Sequence, residues 1–247
     1  MCTITLHRNG PRFLLTFNRD ERRERAPEVP PALSHTKSGL AILAPRDGQA
    51  AGTWIGVNSR GVAACLLNGY REQEQYRHVD PLSNISRGAI VPQVLAAGDY
   101  MDALHFIDGK FDPKVYLSFT LLLIGAGNAI AVQWDGFGEL EVRQLASDWE
   151  MITSSSWNRE AVLEWRRRAF EEWVRAGATF EGDLPSLHLH QPEGMAEWSP
   201  LMAREQTATR SITQVDLDPR GSRAEMLYWP VPPDPRKTPP QRLRLAL

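Results

Sequence analysis

The segment that most restricts the fold is the N-terminal one, which predicts a β-hairpin beginning directly after a cysteine. Residues 3–7 alternate polar and apolar side chains, and residues 13–17 form a compact apolar run. Between them, Asn9-Gly10-Pro11 has the composition of a tight turn. The chain is therefore expected to open with two antiparallel strands, and Cys2 stands at the start of the first.

Many short strands follow this hairpin, with helical regions among them. Strand patterns occur at residues 40–44, 53–58, 62–67, 118–124, 129–134, 140–145, 210–217 and 225–229. Helical patterns occur at residues 86–97, 99–107 and 157–176, and residues 28–38 are expected to be irregular. This succession predicts an α+β fold, with two mostly antiparallel sheets and helices outside them.

The domain organisation predicted from this pattern is a single domain followed by a short tail. No linker interrupts residues 1–229. Residues 230–247 contain six prolines between Pro230 and Pro240 together with several basic side chains. We expect this Pro-rich C-terminal tail to be extended and loosely held.

Composition excludes several classes of protein. A net charge of −2 and a pI near 6.3 argue against a nucleic-acid binder. The two cysteines, Cys2 and Cys65, are too few for a disulfide framework. No apolar stretch is long enough to span a membrane, and the N-terminus lacks the pattern of a signal peptide. We therefore expect a cytoplasmic protein, and its oligomeric state stays open.

Cys2 carries the first chemical signal, because removal of Met1 would give one residue both a thiol and a free amine. A free cysteine has a pKa of about 8.5, and an α-amino group titrates at about 7.7–8.0. The amine can therefore act as a general base for the sulfur at neutral pH. Taken alone, Cys2 also fits an ordinary residue in a frayed terminus.

Two further motifs favour the nucleophile. Asn18-Arg19-Asp20-Glu21 follows the second strand, where the hairpin returns the chain beside Cys2. There Arg19 would lower the pKa of the sulfur, and Asp20 would hold the α-amine. Asn68 ends a strand of a second hairpin and could stabilise an oxyanion. Taken separately, the tetrapeptide also fits a charged turn, and Asn68 before Gly69 also fits turn chemistry.

Together these motifs resemble the NRDE family, which includes homologues of the transport and Golgi organisation 2 protein. The resemblance extends to about Trp229 and concentrates in residues 1–75. It implies an N-terminal-nucleophile (Ntn) hydrolase-like fold, a four-layer αββα sandwich. The segments that match, in the family's order, are Met1-Cys2-Thr3, Asn18-Arg19-Asp20-Glu21, Arg25 and Pro27, Pro45-Arg46-Asp47, Gly52-Thr53-Trp54 and Leu67-Asn68.

The implied fold is similar to that of choloylglycine hydrolases and penicillin V acylases, and this similarity assigns roles to residues. It implies Cys2 as nucleophile, Arg19 near the sulfur, Asp20 near the amine and Asn68 in the oxyanion hole. In those enzymes a second asparagine follows a threonine, and Ser154 in Thr153-Ser154 is the nearest match. A late arginine of those enzymes is matched loosely by Arg210. The remaining residues expected to bind substrate or support the site are Asn18, Glu21 and Trp54.

We therefore expect a cysteine-dependent amidohydrolase that cleaves a small, partly apolar amide at a C–N bond other than a peptide bond, without cofactor or metal. The alternative is a non-catalytic member of the fold that binds or transfers haem or an acyl-type, lipid-like ligand, because eukaryotic relatives are associated with haem handling. A third reading is a scaffold whose Cys2 is vestigial. His188-Leu189-His190 would place two imidazoles on one side of a strand, but no third ligand for a metal lies nearby.

Overall fold

The computed structural model describes residues 2–70, 85–178 and 184–247. The first of its two sheets is built around the predicted N-terminal hairpin. It has six strands in the order β10-β1-β2-β11-β12-β13, and all its neighbours are antiparallel. These strands are β1 (Cys2–Asn9), β2 (Arg12–Arg22), β10 (Trp149–Ser154), β11 (Thr207–Asp218), β12 (Arg223–Pro230) and β13 (Gln241–Ala246).

The second sheet is a seven-stranded antiparallel meander in chain order. It contains the second predicted hairpin and the predicted three-strand run near residue 130, so both predictions are confirmed. Its strands are β3 (Val29–His35), β4 (Ala41–Arg46), β5 (Ile55–Asn58), β6 (Ala63–Asn68), β7 (Phe119–Gly125), β8 (Asn128–Trp134) and β9 (Glu141–Gln144).

Three α-helices lie within the described residues, close to the predicted positions. They are α1 (Ile90–Ala96), which follows a 3₁₀ turn at Arg87–Ala89, α2 (Tyr100–Gly109) and α3 (Arg159–Arg175). Asp99 caps the N-terminus of α2 with a capping box. The Asp99 carboxylate accepts from the backbone N–H of Asp102, and the Asp102 carboxylate accepts from the backbone N–H of Asp99.

The layers form an αββα sandwich, and the predicted fold class is confirmed. The two sheets pack face to face through apolar side chains such as Leu15 and Val215 from the first and Ile55 and Leu122 from the second. The helices α1 and α2 cover the outer face of the second sheet. Helix α3 packs against β10 on the outer face of the first. None of the helices in the described part of the chain combines the length and apolar character of a transmembrane segment.

The expectation that residues 28–38 are irregular is wrong, because Val29–His35 forms the edge strand β3. Pro30 and Pro31 lack the N–H that a central strand must donate. At the edge of a sheet one side of the strand needs no partner, and the pairing with β4 shifts register between Val29 and Ala32. The edge position therefore accommodates both prolines.

The C-terminal residues also differ from expectation. Residues 241–246 form β13, which pairs with β12 along six residue pairs, and Leu245 is buried in the core between the sheets. The prolines end before this strand begins, so they shape the connection and leave the strand free to pair. The division of the chain into one domain and a tail stays a prediction.

We predict that Leu245→Ala lowers the free energy of unfolding by about 2 kcal/mol, because it empties a buried site in the core. Leu33→Ala, at an exposed position of β3, should change it by no more than about 0.5 kcal/mol. Urea unfolding followed by tryptophan fluorescence measures both. Equal, small effects would mean that the last strand is loosely held.

Candidate active site

The register of β1 places Cys2 between two of the residues selected from the sequence. Cys2 is directly opposite Arg19 on β2 and directly opposite Ser154 on β10. Side chains of directly opposed residues in an antiparallel pair project from the same face of the sheet. Cys2 belongs to the core between the sheets, as does Trp54, which directly precedes β5 of the second sheet. The three opposed residues therefore share the face that looks toward the second sheet.

A cleft of about 1040 Å³ opens beside Cys2. It gathers six of the nine residues selected from the sequence, namely Cys2, Arg19, Asp20, Glu21, Trp54 and Asn68. Ser154 lines a neighbouring cleft of about 590 Å³, which also contains Asn68. Among the described residues that line these two clefts, Asn18 and Arg210 do not occur.

Arg19 is held firmly in the cleft wall by carboxylates and an aromatic ring. Its Nη2 lies 2.6 Å from Asp47 Oδ2, and its Nη1 lies 3.2 Å from Glu28 Oε2. Its guanidinium carbon lies 4.5 Å from the centroid of the Trp54 ring. Glu21 adds a longer ion pair at 3.5 Å. Because these acceptors share the charge of Arg19, less of that charge acts on the sulfur.

Asp47 is the acceptor at the centre of this wall, a role that its motif Pro45-Arg46-Asp47 does not reveal in the sequence. Its carboxylate accepts hydrogen bonds from Nε and Nη2 of Arg25, at 2.9 and 3.0 Å, and from the backbone N–H groups of Gln49 and Ala50. Burial acts to raise the pKa of Asp47, but the hydrogen bonds from Arg25 and the backbone lower it to about 2. The carboxylate is therefore ionised at neutral pH.

The motif Gly52-Thr53-Trp54 shapes the same wall through a close backbone contact. A Cβ atom added to Gly52 would lie 2.5 Å from the carbonyl group of Gly88, which no side chain could accommodate. The Thr53 N–H donates to the Gly88 carbonyl at 2.9 Å. Glycine at position 52 therefore lets this segment pack against the start of the first helical region.

Burial dominates the chemistry of the Cys2 sulfur. It raises the pKa of the thiol, and the charge of Asp20 adds to the increase. A hydrogen bond from the Asp20 backbone and the charge of Arg19 act in the opposite direction and do not reverse it. The charge of Arg19 therefore lowers the pKa of the sulfur without outweighing burial, and the role of Arg19 toward Cys2 stays a prediction. The other cysteine, Cys65, is fully buried, and burial raises its pKa further.

Asp20 lies at the junction of the cleft and the outer face of the first sheet. Its Oδ1 accepts from the Thr209 hydroxyl at 2.7 Å. Its Oδ2 is buried without a hydrogen-bond partner, and Nη2 of Arg166 lies 3.8 Å away. Burial raises the pKa of Asp20, and the positive charge of Arg166 opposes that increase.

The sequence did not single out Arg166, because an arginine in an amphipathic helix is normally expected on the exposed face. Arg166 is fully buried although it lies in a helix whose exposed face is rich in arginine and glutamate. A signal was available: Arg166 follows the buried Val162 by four residues, which places both on one helix face.

Asn18 joins β2 to the segment that covers the first sheet, and it takes no part in the cleft. Its amide Nδ2 donates to the carbonyl oxygens of His188 and Pro200, at 3.0 and 2.7 Å. Its Oδ1 can then only accept, so Nδ1 of His188, 2.6 Å away, carries the proton. Nε2 of His188 therefore accepts from the Thr5 hydroxyl at 2.7 Å.

The environment of His188 removes it from the candidate ligands. It lies in a 3₁₀ helix, Ser186–Leu189, so the predicted strand with two imidazoles on one side is wrong. Burial lowers the pKa of His188 to about 3, and both ring nitrogens are occupied. Nowhere in residues 2–70, 85–178 and 184–247 do three histidine, cysteine or acidic side chains come together as metal ligands.

Potential donors to a ligand surround Cys2. Ser154 Oγ and Trp54 Nε1 are buried and have no hydrogen-bond partner. Asn68, at the end of β6, hydrogen-bonds the side chain of Tyr70. Burial raises the pKa of Tyr70, so its hydroxyl is protonated at neutral pH. These groups can hydrogen-bond a polar ligand atom placed near the sulfur.

Two residues selected from the sequence lie further out. Glu21 is at the mouth of the cleft, 3.6 Å from Nε of Arg25. Arg210 is outside the cleft because β11 shifts register against β2 between Thr209 and Ser211. The shift leaves Arg210 without a register partner on β2, and its guanidinium donates to the carbonyl oxygens of Arg22 and Arg23. The loose match of Arg210 to a late family arginine therefore does not bring it to Cys2. Met1 lies outside the described residues.

Comparison with known proteins agrees with this architecture. A family model described as Transport and Golgi organisation 2 matches residues 1–184. An N-acylethanolamine-hydrolyzing acid amidase ortholog from Caenorhabditis elegans superimposes with a TM-score of 0.60 at 12% identity, covering 86% of this chain and 92% of that one. A mutant of the conjugated bile acid hydrolase from Clostridium perfringens superimposes with a TM-score of 0.53 at 13% identity, covering 100% and 92%. No curated protein matches the sequence. At these identities the likeness shows a shared Ntn-hydrolase-like fold alone.

We predict that the protein loses stability as pH falls through the acidic range, because His188 is neutral when folded. Its pKa is about 3 in the native state and about 6.5 in an unfolded chain, so below about pH 6.5 only the unfolded state binds the proton. His188 alone should lower the free energy of unfolding by up to about 1.4 kcal/mol per pH unit between pH 6.5 and 3. Urea titrations at several pH values measure this slope.

The variant His188→Gln cannot take up that proton, so it should have a smaller slope, although it is less stable at pH 7.5. Burial also lowers the pKa values of His7 and His190, and their share of the slope remains. The matched control His35→Gln, at an exposed position of β3, should keep the wild-type slope. A full wild-type slope in His188→Gln would contradict the assignment.

Proposed function

This chain belongs to the Transport and Golgi organisation 2 family, and from that membership and the geometry of its cleft we propose that it is an Ntn cysteine hydrolase that cleaves a C–N amide bond in a small molecule. The observation that carries the proposal is the position of Cys2 at the start of β1, directly after Met1 in the sequence. It lies beside a cleft, opposite Arg19 and Ser154, in a fold shared with hydrolases.

In the proposed reaction, removal of Met1 frees the α-amine of Cys2. The amine takes the thiol proton as the sulfur attacks the amide carbon, and a tetrahedral oxyanion forms. The amine then protonates the leaving nitrogen as the C–N bond breaks, which leaves a thioester on Cys2. Water, deprotonated by the same amine, cleaves the thioester and releases the acid.

The state of the sulfur supports a mechanism with a base on the same residue. Because burial raises the pKa of Cys2, the thiol is protonated at neutral pH and needs a nearby base to become a nucleophile. The contacts of Arg19 with Asp47 and Glu28 leave it a smaller part in activating the sulfur. We assign Arg19 mainly to holding the cleft wall beside Cys2.

Asp20 is the proposed partner of the α-amine. Its buried Oδ2 has no hydrogen-bond donor, and leaving a buried carboxylate oxygen without one costs free energy. The Asp20 backbone already hydrogen-bonds the Cys2 sulfur. An N–H of the freed amine would satisfy Oδ2 and orient the amine toward the sulfur.

Asn68 and Ser154 are the proposed donors to the oxyanion. The two clefts share Asn68, and Ser154 Oγ is an unpartnered donor opposite Cys2. In this proposal Ser154, the nearest sequence match to the second asparagine that the resemblance implies, would serve as the second donor. The cleft beside Cys2 also has apolar walls from Leu66, Ile85 and Leu117, which suits a small amide with an apolar part.

The binding alternative gains no support from the site. Haem is held in proteins by an axial ligand such as histidine, and no histidine is among the described residues that line the cleft beside Cys2. His188, the fully buried histidine beside Asn18, uses both ring nitrogens within the protein. We therefore do not propose haem transfer.

We predict that the purified protein has lost Met1 and that a β-lactam such as penicillin V acylates Cys2. Intact-mass spectrometry measures both events, and peptide mapping locates the label. Cys2→Ala should abolish acylation. Cys65→Ala should leave it unchanged, because Cys65 is fully buried with a strongly raised pKa. Retention of Met1, or a label on Cys65 alone, would count against the hydrolase.

We also predict that Asn68→Ala slows acylation by p-nitrophenyl acetate about 100-fold, as expected when one oxyanion donor is lost. Stopped-flow release of p-nitrophenol measures the rate. Asn128→Ala removes a carboxamide from an exposed turn and should leave the rate unchanged. A wild-type rate in Asn68→Ala would exclude Asn68 from the oxyanion hole.

A further inference from the structure

One guanidinium, that of Arg166, ties together the elements around the candidate site. Its Nη1 lies 2.8 Å from Thr3 Oγ1 and 3.0 Å from Thr153 Oγ1. Its Nε and Nη2 donate to the carbonyl oxygens of Trp198 and Ser199, at 2.8 and 2.9 Å. These contacts occupy four of the five N–H donors of the side chain.

The two threonines matter because of their neighbours in sequence. Thr3 follows Cys2, and Thr153 precedes Ser154. The threonine hydroxyls also contact each other, 2.9 Å apart. Arg166 therefore fixes β1 and β10 against each other at the ends that carry Cys2 and Ser154.

The Nη2 atom of Arg166, which carries the remaining N–H, also lies near Asp20. Nη2 lies 3.8 Å from Oδ2, and both side chains are fully buried. A buried carboxylate without a counter-charge takes up a proton. Arg166 supplies that counter-charge, because its positive charge lowers the pKa of Asp20 against the effect of burial.

We propose that Arg166 is a positioning residue of this site, which fixes the two strands beside the cleft and keeps Asp20 ionised next to the α-amine of Cys2. The inference rests on the proposed function. Arg166 touches no reacting atom in this scheme. It acts through Asp20, whose ionised form holds the amine in place.

Other charged and polar groups also face Asp20. The Cys2 sulfur faces it from β1, and the Thr209 hydroxyl donates to it from β11. Arg204 contributes positive charge from the segment before β11. The guanidinium of Arg204 lies over the Trp157 ring and donates to a backbone carbonyl, so Arg166 is the closer cation with a buried side chain.

The test is the pH dependence of acylation of mature protein by p-nitrophenyl acetate. In Arg166→Gln, Asp20 should need a higher pH to ionise. The acidic limb of the pH–rate profile, where the acylation rate rises with pH, should therefore move up by about one pH unit or more. Arg166→Lys keeps the charge and should keep the limb near its wild-type position, although the lost hydrogen bonds lower the rate. Arg167→Gln, on the exposed face of the same helix, should match the wild type in rate and limb.

Two results would overturn the proposal. One is an equal loss of rate at every pH in Arg166→Gln. The other is an acidic limb that does not move in Arg166→Gln, together with an acylation rate in Arg166→Lys as low as that in Arg166→Gln. In an Asp20→Asn background the glutamine substitution should cause no further shift, and a further shift would show that Arg166 acts elsewhere.

Failure of the proposed function gives a different result. If the wild type is not acylated at Cys2, the hydrolase is excluded, and with it the role of Arg166 in catalysis. Urea unfolding of Arg166→Gln, Asp20→Asn and the double variant then decides whether the charges are coupled. The double variant should be less destabilised than the sum of the single variants. Additive effects would overturn the ion pair as well.

Discussion

The pairing of β1 along both of its edges is the constraint on which the site depends. Strand side chains alternate with a period of two, so a slip of one residue against β2 or β10 would move Cys2 to the opposite face of the sheet. In the observed register Cys2 shares a face with Arg19 and Ser154, and its neighbours share the other face. The apolar inner positions fix this register, since a slip would place them against the polar groups beneath α3.

Along β1 and β2 the outer face of the first sheet is buried although most of its side chains are polar. Thr3, Thr5 and Asn18 lie on it with almost no exposure, under α3 and residues 184–202. Each buried polar group requires a partner. Arg166 and His188 supply most of these partners, one as a cation and one as a neutral ring. The covering layer is thereby held to the strands that carry the candidate site.

Much of the fold could be predicted from the sequence because it follows from local signals. Both hairpins, the three-strand run near residue 130 and the cap of α2 follow from turn residues, alternation and Asp99. The edge strands β3 and β13 could not be predicted, because prolines in or before a segment argue against a strand. The prolines of β3 are tolerated because β3 lies at a sheet edge, and β13 forms because it starts after the last proline. Which strand lies at an edge is a property of the whole sheet.

For the candidate site, the sequence by itself determined which residues stand beside Cys2, because a hairpin converts local order into cross-strand pairs. Arg19 and Asp20 follow from the turn and its register. The tertiary structure alone decided which partners Asn18 binds on the outer face, that Arg210 lies outside the cleft at a register shift and that Arg166 reaches Asp20 from α3. Those outcomes depend on contacts between residues more than 100 positions apart, which no local pattern encodes.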